Sequence, residues 1–413
     1  MQGIIGIVTF LGFAWLISEN RSKPEIKPVL SAIALQVILA FFLMRFDLIR
    51  HGFGSLSGVV ETLKAATQEG TQFVFGYIGG GDVPFVIDPT SQKNTFIFAL
   101  QALPMIMVVS ALSMLLFYWR IMPIIVKGAS WFLQRTLSIG GALGVAAGAK
   151  VLLGNVDAPL LIRPYLKDFT RSEMFAMMTC GMATTSATVM ALYSFILKDT
   201  IANPIAHILM CSIISIPAAL AVARLMIPHG SNQTDGHFVM PYRFTGWMDA
   251  VSKGTSDGLN IFLNVIAMLI VALALVYIAN TILGLLPSFE GAPLSLQRIF
   301  GYLFAPVTWL MGIPWHESAA AGALLGTKTV INEVVAFSDL AALPKDTLSP
   351  RTSLIMTYAL CGFANFSALG IVIGGLGAMV PERRDMIVNL SFKSLISGTI
   401  ATCLSATLAG LLL

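Results

Sequence analysis

Two carboxylates lie inside apolar stretches of this chain, and the same short phrase follows each of them. Asp157 closes the run Gly154-Asn155-Val156-Asp157, and Glu333 follows Asn332. Downstream come Cys180-Gly181-Met182-Ala183-Thr184-Thr185-Ser186 and Cys361-Gly362-Phe363-Ala364-Asn365-Phe366-Ser367, preceded by Arg171 and Arg351. Aligned on the cysteines, C-G-x-A-x-x-S recurs, with Asp157 and Glu333 23 and 28 residues upstream. An ionisable side chain at membrane depth is costly and points to a binding or relay role. A polar, helix-interrupting segment present in both halves of a membrane chain is the pattern of a secondary transporter's site. A membrane enzyme using Asp157 and Glu333 as an acid–base pair would also need a nucleophile or a metal. Ser186 and Ser367 have no histidine spaced as a triad base. His316 and Glu317 are adjacent, a spacing at which helix side chains are not expected to face one another. Cys180, Cys211, Cys361 and Cys403 lie in apolar runs and suggest neither a disulfide framework nor a zinc site. A passive channel is a third reading, since broken hairpins also build filters. The residues favour a carrier.

The rest of the chain must hold these groups in a bilayer. Of 413 residues, 56% are hydrophobic and 11% charged, with mean hydropathy +0.82. Soluble domains carry about 25% charged residues, so this is an all-α polytopic membrane protein. The net charge of +4 fits topology-setting loop lysines and arginines and gives no case for nucleic-acid binding. Spans are expected at 3–18, 29–46, 93–118, 173–197, 203–226, 259–285, 352–378 and 388–412. The first has Arg21, Lys23 and Lys27 after it and no basic residue before it. That is the reverse of a cleaved signal, so it reads as a retained span with its N-terminus outside.

Two apolar segments do not read as ordinary spans. Residues 136–160 hold Gly140, Gly141, Gly144, Gly148, Lys150 and Asp157; residues 300–344 hold His316, Glu317, Lys328 and Glu333. Charges and helix breakers there suit re-entrant hairpins, whose backbone is tolerated where protein or a water cavity covers it. Eight crossings and two hairpins place fifteen lysines and arginines in cytoplasmic loops and eight outside, the direction of the positive-inside rule. The outside set includes Lys93 and Lys345. The hairpins then enter from opposite leaflets, as inverted repeats do. The expected organisation is 1–118 (N-terminal spans and scaffold), 119–226 (first repeat), 227–285 (interfacial segment and scaffold span) and 286–413 (second repeat). Two polar stretches, 47–92 with Val59 to Lys64 and 227–258 with Asp249, Lys253 and Asp257, suit helices lying along the membrane surface. Gly79-Gly80-Gly81 reads as a turn, with no lysine and helix behind it to cradle a phosphate.

At its motifs the chain resembles the concentrative nucleoside transporter family. The matching stretches are Phe73-Val74-Phe75-Gly76, Leu103-Pro104, Ala158-Pro159-Leu160-Leu161-Ile162-Arg163-Pro164-Tyr165-Leu166 and Gly181-Met182-Ala183. They continue with Trp309-Leu310-Met311-Gly312-Ile313-Pro314-Trp315, Asn332-Glu333-Val334-Val335-Ala336 and Ala359 to Ser367. The resemblance implies a homotrimer of protomers with eight spans and two opposed hairpins. It implies a nucleoside as substrate, import by cation symport, no cofactor, and residence in a bacterial inner membrane. Carried over by motif, Glu333 and Asn365 bind ribose hydroxyls, with Phe363 beside the sugar. Charge-assisted hydrogen bonds to a buried carboxylate are roughly twice as strong as neutral ones.

Three departures from the family pattern stand out. Its base-reading Gly-Gln-Thr-Glu is Gly154-Asn155-Val156-Asp157 here. Its ribose-contacting serine is Ala368, although Ser367 is adjacent. Its sodium-ligating asparagine and serine are Lys150 and Thr184. An ammonium cannot ligate sodium and repels a second cation. Buried, Lys150 must pair, reach water or lose its proton. Proton coupling through Lys150, Thr184 and Asp157 is therefore expected over sodium coupling. A structural alternative pairs Asp157 with Lys150, two turns apart on one helix face. For Lys328 the expectation is neutralisation of Glu317 or Glu333. For the glycine run it is close helix packing.

Overall fold

The structure is a computed structural model describing residues 2–22, 25–45, 47–85, 96–155, 157–228, 234–288, 293–344 and 346–413, and its described elements are helical. The chain opens with α1 (Gln2–Leu16), α2 (Ile26–Arg45) and α3 (Asp47–Phe75), then α4 (Phe98–Gln101) and α5 (Met105–Tyr118). Next come α6 (Ile121–Leu137), α7 (Gly141–Ala149), α8 (Asp157–Leu160), α9 (Arg171–Ala183), α10 (Ala187–Ile196) and α11 (Pro204–Met226). After α12 (Trp247–Leu283) that succession recurs. It runs through α13 (Leu296–Leu310), α14 (Trp315–Val330), α15 (Glu333–Ala342), α16 (Pro350–Leu360), α17 (Phe366–Met379) and α18 (Arg384–Leu412). Each half therefore contains a helix, two short arms, a helix in two pieces and a long helix.

Six helical stretches among the described residues are long and apolar enough to cross a membrane. They are Ile26–Arg45, Phe98–Tyr118, Arg171–Ile196, Pro204–Met226, Trp247–Leu283 and Pro381–Leu412; Gln2–Leu16 and Phe366–Met379 are shorter apolar helices. These eight fall on the eight stretches expected from sequence. The outer faces of α1, α2 and α12 expose large apolar side chains such as Val8, Leu30, Ile270 and Leu275, the surface of a membrane-embedded chain or of a protein interface.

Lipid removes the hydrophobic drive between helices, so packing relies on small residues and interhelical hydrogen bonds. Three glycine pairs four residues apart show this. A Cβ at Gly144 or Gly148 of α7 would stand 2.6 Å from Gln134 or 2.7 Å from the Ser130 nitrogen of α6. At Gly322 it would meet the Gly301 carbonyl of α13 at 2.6 Å, and at Gly326 the Phe300 side chain. At Gly254 and Gly258 of α12 it would stand 2.6 Å from the Cα atoms of Ala111 and Met107 in α5. The glycine run thus serves close packing, as expected. Thr179 of α9 bonds Ser397 of α18 at 2.7 Å, and Ser215 of α11 bonds Ser405 at 2.9 Å. These helices, with α16, form the buried centre.

Several expectations change in detail. The 300–344 segment is two units: α13 turns at Gly312 (φ 96°) into α14, and α14 and α15 form the two arms. Likewise α7 and α8 are the arms of the first unit, with α6 packed alongside. The 227–258 stretch is not a separate surface helix, because Asp249, Lys253 and Asp257 lie in the first turns of the 37-residue α12. Its apolar run continues the helical period without a breaker, so the polar turns join it; Asp249 and Lys253 pair at 3.1 Å. Val59 to Lys64 fall within α3, where Thr67 and Thr71 are buried. Gly80 (φ 99°) makes the expected turn. Lys23, Lys93 and Lys345 lie outside the described residues.

The repeat arginines both clamp the start of a broken helix, to different partners. Arg351 donates to the Gly312 carbonyl at 2.9 Å and the Gly410 carbonyl at 2.5 Å. Arg171 donates to Glu19 in the α1–α2 loop at 2.8 Å, and Lys393 of α18 donates to the same carboxylate at 2.6 Å. The Arg171 bond, with Lys393 assisting, holds the Glu19 carboxyl down to about 2 from its ordinary 4.5. A depressed folded-state value adds stability that is complete above about 4.5, declines as pH falls, and is gone below about 2. Glu19→Gln should therefore melt a few degrees below the parent in detergent at pH 7, with the gap closing as pH falls through 4 toward 2. An unchanged gap at pH 7 and pH 3 would refute the assignment.

Candidate substrate and coupling site

The two broken helices pass each other at their gaps, and the repeated motif explains how. In α9–α10 the chain leaves the helix at Thr184, runs extended to Ser186 and resumes at Ala187. In α16–α17 it leaves at Cys361 and resumes after Asn365, whose side chain caps α17 by accepting from the Ala368 backbone N–H at 2.7 Å. The Phe363 N–H reaches the Thr184 carbonyl at 3.4 Å. The motif glycines keep the paths open. A Cβ on Gly362 would stand 2.7 Å from the Thr402 methyl and 3.0 Å and 3.1 Å from the Met182 and Ala183 carbonyls. A Cβ on Gly181 would stand 2.5 Å from Asn155 Oδ1 and 3.2 Å from Lys150 Nζ. The two copies are not superimposable residue for residue, because the first helix stops after Ala183 and the second after Leu360, four motif positions earlier.

This difference makes a contrast that can be measured. Gly362→Ala drives a methyl against the buried, β-branched Thr402 and two backbone carbonyls, none of which can readily yield, and should cost about 1–3 kcal/mol of stability, read as a lower melting temperature in detergent. Gly181→Ala meets only the tips of two flexible side chains. It should leave melting nearly unchanged while parting Lys150 from Asn155 and lowering transport roughly tenfold. Equal effects of both substitutions on melting would contradict this packing.

The second pair of arms delivers Glu333. Asn332 caps α15, accepting from the Val335 N–H at 3.0 Å, which fixes Glu333 in its first turn. Glu333 is 5% exposed. Oε1 accepts from the Tyr193 hydroxyl at 2.7 Å and Oε2 from the Asn365 amide at 2.6 Å. The Tyr193 ring lies 4.8 Å from that of Phe337. One carboxylate is thus held by α10 of the first half and the α17 cap of the second. Phe363 is half-buried in the same gap, Ser367 half-buried and Ala368 buried in the first turn of α17.

The first pair of arms delivers Lys150. It ends α7, is 2% exposed, and its Nζ donates to the Gly154 carbonyl at 2.9 Å and Asn155 Oδ1 at 2.8 Å. The Leu152 carbonyl accepts from the Ala187 N–H at 2.9 Å, tying this tip to the start of α10. Thr184 donates to the Cys180 carbonyl at 2.8 Å. Asp157 opens α8, half-buried, with Oδ2 3.0 Å from where a Gly154 Cβ would be. Val156 lies outside the described residues.

Three sequence expectations are corrected. Lys150 and Asp157 do not share a helix face, because the helix ends between them and no ion pair joins them. Lys328 pairs with neither Glu317 nor Glu333. Its buried Nζ donates to the Ala359 carbonyl at 3.0 Å and Thr402 Oγ1 at 3.2 Å, while Glu317 accepts from Ser349 at 3.1 Å. His316 and Glu317 do meet, at 3.5 Å, because at a helix start both side chains can lean the same way. No group of three or more metal-ligating side chains occurs among the described residues. Tyr193 was not legible in sequence; it lies seven residues past the first gap with no motif of its own.

The fold and this site define a class: a multi-pass membrane transporter whose two halves converge on one buried polar centre. Residues 207–410 and 5–78 match the C-terminal and N-terminal parts of the family described as Na+ dependent nucleoside transporter, and residues 99–200 match one described as nucleoside recognition. An uncharacterised transporter of Haemophilus influenzae is 36% identical, covering 100% of this chain and 97% of that protein. The nucleoside permease NupC of Helicobacter pylori is 32% identical over 99% of this chain and 96% of its own. The solved structure of CNTnw in an inward-facing substrate-bound state superposes with a TM-score of 0.89 at 32% identity, covering 100% of this chain and 98% of that one. The chain belongs to the concentrative nucleoside transporter family, and its members are transporters rather than enzymes.

Proposed function

We propose that this protein imports nucleosides across a bacterial inner membrane by proton symport. The reading places eight crossings and two opposed re-entrant hairpins, α7–α8 and α14–α15, in each protomer of a homotrimer. The four-part division at 118, 226 and 285 gives scaffold and repeats. Glu333 and Asn365 hold the ribose, with Phe363 beside it and Asn332, Ser367 and Ala368 shaping the wall. Gly154, Asn155, Val156 and Asp157 face the base. Lys150, Thr184 and Asp157 couple the ion.

The observation that carries the substrate role is the Glu333 carboxylate, buried yet clamped by one hydroxyl and one amide, with lone pairs left for two sugar hydroxyls. The coupling role rests on Lys150, whose ammonium takes up the oxygens of Gly154 and Asn155 at the tip. A hydrogen-bond donor or acceptor missing from a pocket loosens discrimination more than it adds room. With Val156 lacking a hydroxyl, purine and pyrimidine nucleosides should compete within about tenfold of one another. Competitive uptake by a nucleoside panel in proteoliposomes, with sodium and proton gradients varied independently, tests the whole reading. Preference for a modified nucleoside or a nucleobase would move the substrate, sharp uridine selectivity would refute the loose pocket, and uptake that never exceeds equilibrium would mean a channel.

A further inference from the structure

A cavity of about 480 Å³ lies where α5 turns into α6 and shares no lining residue with the Glu333 or Lys150 sites. Its 238–244 wall runs beside the first pair of arms, through the Val239 N–H bond to the Leu161 carbonyl at 3.0 Å. Tyr118, Arg120 and Lys127 form one wall, and Phe238, Tyr242 and Phe244 of the extended segment before α12 form the other; none of its lining residues is acidic. We propose that this pocket binds the phosphate headgroup of an anionic phospholipid in the cytoplasmic leaflet. The leaflet rests on the topology proposed above; the ligand chemistry rests on the pocket itself.

Two cations face the space without a carboxylate to neutralise them. Arg120 makes no side-chain hydrogen bond or ion pair among the described residues. It sits at φ 62°, ψ 12°, a conformation a non-glycine residue holds only where surrounding structure imposes it. Lys127 lies 5.6 Å over the Phe238 ring, which orients its stem while leaving three N–H donors for an anion. Lys253, 5.3 Å over Phe244, is by contrast already paired with Asp249. The aromatic wall is locked by edge contact of Phe117 with Tyr242 at 5.3 Å and stacking of Tyr242 on Phe244 at 5.8 Å, so the pocket is preformed.

A free phosphate would share this chemistry, but the rim favours a lipid. Trp119, Ile121 and Ile124, beside the two cations, are 57%, 42% and 69% exposed. They offer apolar surface that acyl chains would cover and a free anion would not. Basic pockets beside spanning helices on the cytoplasmic side recognise such headgroups, and the volume suits a glycerophosphate group.

The test measures binding of short-chain phosphatidylglycerol and phosphatidylcholine to the purified full-length protein in detergent, by thermal shift and native mass spectrometry. Phosphatidylglycerol should bind at least tenfold tighter than phosphatidylcholine. The double variant Arg120→Gln/Lys127→Gln should lose roughly tenfold of that affinity, while Arg135→Gln keeps it and inorganic phosphate fails to compete. Undiminished binding in the double variant, or equal competition by inorganic phosphate, overturns the lipid site. So does a changed oligomeric state of the double variant with lipid binding intact, which would mean a second copy fills the cavity. Labelling of Met240→Cys by an impermeant maleimide in right-side-out vesicles would overturn the leaflet and with it the topology above. Labelling only in inverted vesicles supports both.

Discussion

Glu333→Gln is expected to lower nucleoside uptake on the order of 100-fold, since it removes two charge-assisted bonds at once. The native carboxylate receives Tyr193 and Asn365 and keeps lone pairs for substrate. A glutamine in the same place has one acceptor oxygen and a donor NH2 that must face Asn365 or Tyr193. Asn365 cannot turn its amide over without giving up the cap on Ala368. The glutamine NH2 therefore settles on the Tyr193 side, where the hydroxyl must turn to accept, and the loss falls on the sugar. Tyr193→Phe should cost less, about tenfold, because it removes one neutral hydroxyl and leaves the carboxylate charged. Both follow from uptake in proteoliposomes, with detergent melting as the check on folding. Normal transport by Glu333→Gln would end the ribose assignment.

Exchanging Lys150 for asparagine should change the driving ion. In the parent, uptake should stay within about twofold when choline replaces sodium and collapse with a protonophore, since differential coupling below that is negligible. Lys150→Asn removes the ammonium and frees the Gly154 carbonyl and the Asn155 side-chain oxygen. It adds an amide oxygen at the tip, next to those two oxygens. Unwound backbone of this kind binds sodium in broken-helix carriers. The variant should gain roughly tenfold stimulation by sodium, within the usual range of a coupling free energy. Lys150→Met should instead leave both oxygens buried without donors and abolish uptake under either gradient. Strong sodium dependence of the parent would overturn the coupling argument outright.

Much of this was readable from the chain alone. Asp157 and Glu333 in apolar surroundings, the doubled C-G-x-A-x-x-S and the eight apolar stretches fixed a helical membrane protein with two related halves. They could do so because a bilayer forces every spanning segment to satisfy its own backbone. The structure added the caps: Thr170, Ser349, Asn332 and Asn365 each start a helix by accepting a backbone N–H. What pairs with what was decided by the tertiary structure. Tyr193 reaches Glu333 across 140 residues, Lys328 finds Ala359 and Thr402 in place of a carboxylate, and Lys150 turns to its own tip and not to Asp157. Sequence spacing predicts neighbours along one helix, and each of these contacts crosses a helix end or joins separate elements. A side chain with several reachable partners is settled only by which backbones approach, and here glycines at 181 and 362 decide that.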